Sequence, residues 1–388
     1  MKKVLATLLV LVVLGPLAAF LFVWSGLYSI AADRGHFAPA RWFLEFAMRR
    51  SVAFHARDIK APPLDDPALV ERGAGHFFTG CAPCHGAPGF PPSPVSQQML
   101  PVPPQLSEAI PSWTDAQLFW IVQHGLKYTG MPGWPATNRP DEIWAIVALL
   151  RQLPQMNAET FRRLAGIGKD ASADLSSLGA RDFAETDPAA CNRCHGANGG
   201  GNKTGGVPRL AGQKPDYLAM TLQDYRFGTR QSGIMQSIAV YLSDQQIRRL
   251  AIHYGAVAAT AIEETRSFVV ATAEPDADPL VGAAGDKPKS ELAQIGASIV
   301  AAGDSARRVP ACSSCHGVQG RGRNKNPRYP ALAGQHFDYI ANQLRLWRAG
   351  NRGGTFTKLM STAARNLTDR DIDAVATYLS GLEPMGAR

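Results

Sequence analysis

Six cysteines and three of the nine histidines fall into one recurring pentapeptide: Cys81-Ala-Pro-Cys84-His85, Cys191-Asn-Arg-Cys194-His195 and Cys312-Ser-Ser-Cys315-His316. Two thiols on one helical turn can reach both vinyl groups of one porphyrin. The histidine that follows can set an imidazole nitrogen under its iron. A lone Cys-x-x-Cys could instead hold zinc or act as a thiol redox pair. Here a histidine follows three times, the motifs show no regular zinc-type pairing, and no cysteine is left over. The pattern predicts three covalently attached haem c groups. Cys81, Cys84, Cys191, Cys194, Cys312 and Cys315 are the attachment residues, and His85, His195 and His316 the proximal ligands.

A second axial ligand separates electron transfer from chemistry on small molecules, because methionine opposite histidine raises the potential and closes the iron. Met235 precedes Leu242-Ser243-Asp244 by seven residues, and Met360 precedes Leu367-Thr368-Asp369 by the same seven. A ligand should have a partner in a duplicate, which selects these two. Met220 aligns with Asn342 and reads as packing, and His253 aligns with Tyr378. Earlier in the chain, Gly130-Met131-Pro132-Gly133 places Met131 46 residues after His85. Met99 follows His85 by only 14 and leaves no room for intervening helices, and Met156 comes after the closing helix. Met131, Met235 and Met360 are the expected sixth ligands. His124 is an alternative that Met131 makes unnecessary, and His36, His55, His76 and His336 receive no function.

The elements around these residues repeat. Pro208-Arg209-Leu210-Ala211-Gly212-Gln213 matches Pro330-Ala331-Leu332-Ala333-Gly334-Gln335, Tyr217 matches Tyr339, and Arg226-Phe227-Gly228-Thr229-Arg230 matches Arg348-Ala349-Gly350-Asn351-Arg352, all at an offset of 122. Two copies make a duplicated domain rather than a solenoid. Ser243 and Thr368 suit helix N-caps, with acidic residues in the following turn and apolar residues at helical spacing. Pro140-Asp141-Glu142-Ile143 opens a similar closing helix in the first unit. No segment alternates like a strand for more than a few residues. The fold class is all-α, with three tandem cytochrome c-like domains behind an N-terminal transmembrane helix. Their expected bounds are 65–160 (unit one), 165–262 (unit two) and 291–388 (unit three), with a Pro-bearing linker over 263–290.

With 388 residues, 45% hydrophobic and 19% charged, the chain can bury several cores, which excludes a disordered or collagen-like protein. The net charge of +8 is spread without a basic run, so nucleic acid is not an expected partner. Residues 4–30 carry no charge, a run long enough to span a bilayer and longer than a signal core. Residues 1–32 are therefore read as a retained anchor or an uncleaved signal. Residues 33–64 form a juxtamembrane segment. In it Trp42-Phe43-Leu44-Glu45-Phe46-Ala47-Met48-Arg49-Arg50 can lie in the headgroup layer or pack on the first domain.

Units two and three, through Cys-x-x-Cys-His-Gly, Pro-x-Leu-Ala-Gly-Gln, Arg-x-Gly-x-Arg and the methionine before the last helix, resemble the two halves of a dihaem cytochrome c4. Unit one is similar to single-haem membrane cytochromes with a Gly-Met-Pro loop, and the whole looks like a class I cytochrome c repeated three times. The resemblance implies a loop proline against the haem near the proximal histidine, matched by Pro208 and Pro330. It also implies an electron carrier of a respiratory chain, in the bacterial cytoplasmic membrane with its haem domains facing the periplasm. That topology is adopted although six basic residues against three acidic ones over 33–60 argue for the opposite orientation by charge.

The expected function is single-electron transfer, without catalysis of its own, from a quinol-oxidising complex towards a terminal oxidase or reductase. The alternative is the cytochrome subunit of a membrane-bound sugar or alcohol dehydrogenase. A haem peroxidase is disfavoured because each unit offers a methionine. Expected partners are those redox proteins and membrane lipid.

Overall fold

The computed structural model describes residues 2–31, 33–167, 188–202, 205–257, 287–322, 326 and 329–385. Most of the expected linker over 263–290 lies outside them. The architecture is helical; among the described residues there are no strands, only two isolated bridges, Ala87 with Phe90 and Asp304 with Val309.

Helix α1 (Lys2–Trp24) has a mean hydropathy of 2.7 and none of its span is buried. It is the one helix among the described residues long and apolar enough to cross a membrane. Helix α2 (Ala38–Ala56) divides in two. Towards its C-terminus Val52 and Ala56 are buried, His55 stacks on Trp120 and Arg49 lies over Trp113. Towards its N-terminus Trp42, Phe43 and Phe46 stay exposed. The second half of the helix packs on unit one.

Unit one contains α3 (Pro67–Gly80), α4 (Ala82–His85), α5 (Pro94–Gln97), α6 (Leu106–Ala109), α7 (Asp115–His124), α8 (Pro140–Gln152) and α9 (Ala158–Leu164). Asp66 caps α3 by accepting from the Ala68 amide, with Pro67 opening the first turn. Val70, Ala74, Phe77 and Phe78 then fall on one buried face. That face crosses α8 at Gly73, where a Cβ would stand 2.0 Å from the Ala145 carbonyl oxygen. Phe77, Phe78 and Phe90 pack around Phe161 of α9, which is fully buried.

Unit two holds α10 (Ala189–His195), α11 (Pro215–Arg226), α12 (Met235–Ala239) and α13 (Asp244–Ala256). Unit three holds α14 (Lys287–Ala302), α15 (Ser313–His316), α16 (Phe337–Arg348), α17 (Thr357–Ala364) and α18 (Asp369–Ser380). Ser243 and Thr368 cap α13 and α18 as expected, each in a reciprocal capping box with Gln246 and Asp371. Helix α14 crosses α18 at Gly296, whose Cβ would stand 2.0 Å from the Ala374 carbonyl oxygen. This is the device of Gly73 used again. Separate cores form around Ile247 and Leu250 in unit two and around Ile372 and Leu379 in unit three.

Units two and three meet across a near-symmetric pair of amides. Gln213 bonds the Ala331 carbonyl oxygen at 2.9 Å and its amide nitrogen at 3.0 Å. Gln335 bonds the Arg209 amide nitrogen at 2.9 Å and its carbonyl oxygen at 3.0 Å. Each glutamine thus braces the residue that follows the other unit's repeat proline.

Candidate functional site

Each pentapeptide ends on a short helix whose final residue is the histidine: α4, α10 and α15. In all three the imidazole Nδ1 faces a proline carbonyl: His85 to Pro104 at 3.1 Å, His195 to Pro208 at 3.1 Å and His316 to Pro330 at 3.0 Å. A carbonyl oxygen can only accept, so Nδ1 carries the proton and Nε2 presents its lone pair. Burial pushes all three imidazoles below their ordinary pKa, against the opposing effect of the carbonyl bond, and so favours the neutral ligand form. The six cysteines are all free of disulfides.

A cavity of about 610 Å³ is lined from both ends. Cys191, Cys194, His195 and Met235 border it in unit two, and Cys312, Cys315, His316 and Met360 in unit three. Pro208 and Pro330 line it too, as does Met220. Met131 lies on the loop after α7, where its amide donates to Thr129 Oγ1 at 3.1 Å and its carbonyl accepts from the Leu126 amide at 3.2 Å. Met99 comes closer to that loop than its spacing suggested: a Cβ on Gly130 would overlap the Met99 Cε, at 1.7 Å. Met156 packs against the core of unit one, while His124 and His253 are exposed.

The chemistry of the cavity suits an apolar macrocycle bearing carboxylates. Arg209 and Arg352 are 6% and 9% exposed, and the Nε of each is buried with no acceptor. Burial lowers the pKa of both, that of Arg352 further through Arg230. Two buried cations with unanswered N–H groups call for an anion within the cavity. Arg230, also buried, is raised against its desolvation by Tyr225, Tyr339 and Tyr217 and donates to Tyr339 at 3.0 Å. Thiols, a neutral imidazole, apolar walls and cations together fit haem c.

Residues 68–150 match the family described as cytochrome c oxidase, cbb3-type, subunit III. Residues 177–253 and 294–383 match the family described as cytochrome c. Over 212 residues, the chain is 35% identical to the thiosulfate dehydrogenase electron acceptor of Stutzerimonas stutzeri (strain A1501), which covers 54% of this chain and 87% of that protein. The chain belongs to the class I c-type cytochromes. A protein of the same name from Thiomonas intermedia (strain K12) is 34% identical over 51% of this chain and 80% of its own length. Cytochrome c4 of Thiocapsa roseopersicina is 33% identical over 50% of this chain and 86% of its own. As a c-type cytochrome the chain transfers electrons through covalently bound haem c.

Several functional residues escaped sequence reasoning. Pro104 stands 19 residues after His85 rather than 13 or 14, hidden by a longer proline-rich loop. Gln213 and Gln335 lay inside the repeated stretch, yet repetition alone does not say which residues reach across to the other copy.

Proposed function

We propose that this cytochrome is membrane-anchored, holds three haem c groups and passes single electrons on the periplasmic face of a bacterial cytoplasmic membrane, towards a terminal oxidase or reductase. One observation carries the reading: behind each thiol pair, a histidine held by a proline carbonyl presents Nε2 in the same way. Bound haem supplies reversible one-electron iron chemistry. The cysteines would tether it, His85, His195 and His316 would ligate its iron through Nε2, and Met131, Met235 and Met360 would supply the second ligand and exclude foreign ones. Arg209 and Arg352, whose buried Nε groups lack an acceptor, would answer its carboxylates. Helix α1 crosses the membrane, and the exposed Trp42, Phe43 and Phe46 of α2, beside Arg41 and Arg50, rest in the headgroup layer.

A second reading, in which the chain accepts electrons from a periplasmic dehydrogenase, is favoured by the two relatives named thiosulfate dehydrogenase electron acceptor. The domain bounds 65–160, 165–262 and 291–388 belong to the same proposal.

The test is haem per polypeptide by alkaline pyridine spectroscopy. The intact chain should give three, and replacing both cysteines of any one motif by serine should remove a third. A count below three in the intact chain refutes the reading. Affinity isolation from gently solubilised membranes then separates the roles. A terminal oxidase or quinol-oxidising complex supports the carrier, whereas a stoichiometric dehydrogenase makes the chain its acceptor.

A further inference from the structure

The runs of chain that lead into Met235 and Met360 are not held by their own units alone. Glu142, in the first turn of α8 in unit one, is 2% exposed. Its carboxylate accepts from Ser232 Oγ at 2.7 Å and from the Gly233 amide at 2.7 Å, both in unit two. On its own side it accepts from Trp134 Nε1 at 2.9 Å and pairs with Arg139 Nη1 at 3.1 Å. Arg139 Nη1 in turn donates to the Gln231 carbonyl at 2.8 Å. Residues 231, 232 and 233 are therefore all gripped from unit one. Ser232 Oγ passes the restraint on by accepting from the Met235 amide at 3.2 Å. Gly233 lies so close to the Trp134 indole that a Cβ would stand 2.3 Å from it.

The arrangement recurs one unit further on. Asp224, in α11 of unit two and 9% exposed, accepts from Thr355 Oγ1 at 2.6 Å and from the Thr355 amide at 3.1 Å. Thr229 Oγ1 of its own unit also donates to it, at 2.8 Å. Thr355 lies five residues before Met360 and two before the start of α17. Met131 is held within its own unit, its amide donating to Thr129 Oγ1 and its carbonyl accepting from the Leu126 amide. The repeat did not predict this. Asp224 aligns with Leu346, and the two carboxylates come from different helices of their units.

We propose that Glu142 and Asp224 are positioning residues for the sixth ligand of the following unit, Glu142 for Met235 and Asp224 for Met360. The proposal rests on the reading of those methionines as iron ligands. Each carboxylate fixes two donors of the run before the methionine, so the sulfur approaches the iron along one path. A buried carboxylate can satisfy several converging donors at once, whereas an amide in its place turns an N–H towards some of them. Unit one then acts on the site of unit two, and unit two on that of unit three.

The experiment uses the full chain in its reduced state. Each ligated methionine gives a methyl resonance displaced by the ring current of the porphyrin, and each haem gives a midpoint potential. Glu142→Gln should displace or split the Met235 resonance and shift the potential of that haem, leaving the Met360 signals in place. Asp224→Asn should do the same to Met360 and spare Met235. Ser232→Ala and Thr355→Val remove one donor each from the following unit and should give weaker forms of the same two patterns if the amide variants do not fold.

Met235→Leu and Met360→Leu are assignment controls, each expected to remove one resonance. If both controls do so while the carboxylate and donor variants leave every resonance and potential unchanged, the positioning role is overturned. If neither control removes a resonance, the ligand reading fails first and the inference falls with it.

Discussion

The two joints between units are built in different ways. Between units two and three, Gln213 and Gln335 exchange neutral hydrogen bonds with backbone groups of the opposite copy, each with its counterpart, and the Asp224 carboxylate on Thr355 is added to that symmetric pair. Between units one and two, a single buried carboxylate, Glu142, collects donors from both sides, next to Arg139 and Asp141. Asp141 extends this cluster to unit three by accepting from Asn342 Nδ2 at 2.9 Å. A duplicated domain can meet its copy through self-complementary contacts, so one residue type serves twice. A unit of different sequence has no such symmetry, and here charge and burial provide the specificity.

The largest effect should come from the asymmetric joint. Glu142→Leu strands Ser232, the Gly233 amide and the Trp134 indole N–H and weakens the pairing of Arg139. It should cost about 3–5 kcal/mol in denaturant unfolding. A loss no greater than that of a surface substitution would mean the joint opens freely.

Acid should separate the joints next. Burial holds the His76 imidazole down at about 4, against the raising effect of Glu142, while Arg72 and Arg139 lower it further and Asp141 raises it. The folded state therefore binds the proton less readily than the unfolded chain, whose imidazole titrates at about 6.5. Stability is complete above that value and falls as the pH drops from 6.5 towards 4, by at most about 3 kcal/mol. Asp141, held well below the usual carboxylate range by Arg139 against its burial, adds a further loss below about 4. His76→Gln should flatten the upper part of the profile, and the glutamine pair contributes no slope.

Gln213→Leu and Gln335→Leu each take the side-chain partner from one backbone N–H and one carbonyl, part-buried at Ala331 and buried at Arg209, for about 1–3 kcal/mol apiece. If the joint is symmetric the two costs agree to within about 0.5 kcal/mol. A large inequality would show that one copy carries the interface.

The smallest effect belongs to a pair of matching surface bridges, Arg226 with Asp244 and Arg348 with Asp369, each at 2.6 Å. Asp244→Asn and Asp369→Asn should lower the thermal midpoint slightly at low salt and not measurably at high salt, because exposed pairs are screened.

Much of the fold was legible because haem attachment and helix capping are local. Ser243 and Thr368 announced α13 and α18, and the repeat offset aligned the proline stretches before any contact was known. Pro208 and Pro330 were marked by resemblance. The structure adds the atom that matters, a carbonyl oxygen on the histidine Nδ1, and finds its counterpart in Pro104, which no spacing rule reached. Glu142 read as an ordinary first-turn acid of α8, where it also favours the helix dipole. Nothing in its neighbours says that Ser232 lies against it.

By itself, the sequence determined the attachment chemistry, the helical class, the duplication and an apolar segment of membrane-spanning length, since each depends on residues within one or two helical turns or on comparison of one stretch with another. The tertiary structure alone decided which polar groups answer each other across units. Glu142 and Ser232 are 90 residues apart, and Gln335 and Arg209 126. A hydrogen bond at such separation depends on how whole helices cross and dock, a product of burial summed over many side chains that no local pattern records.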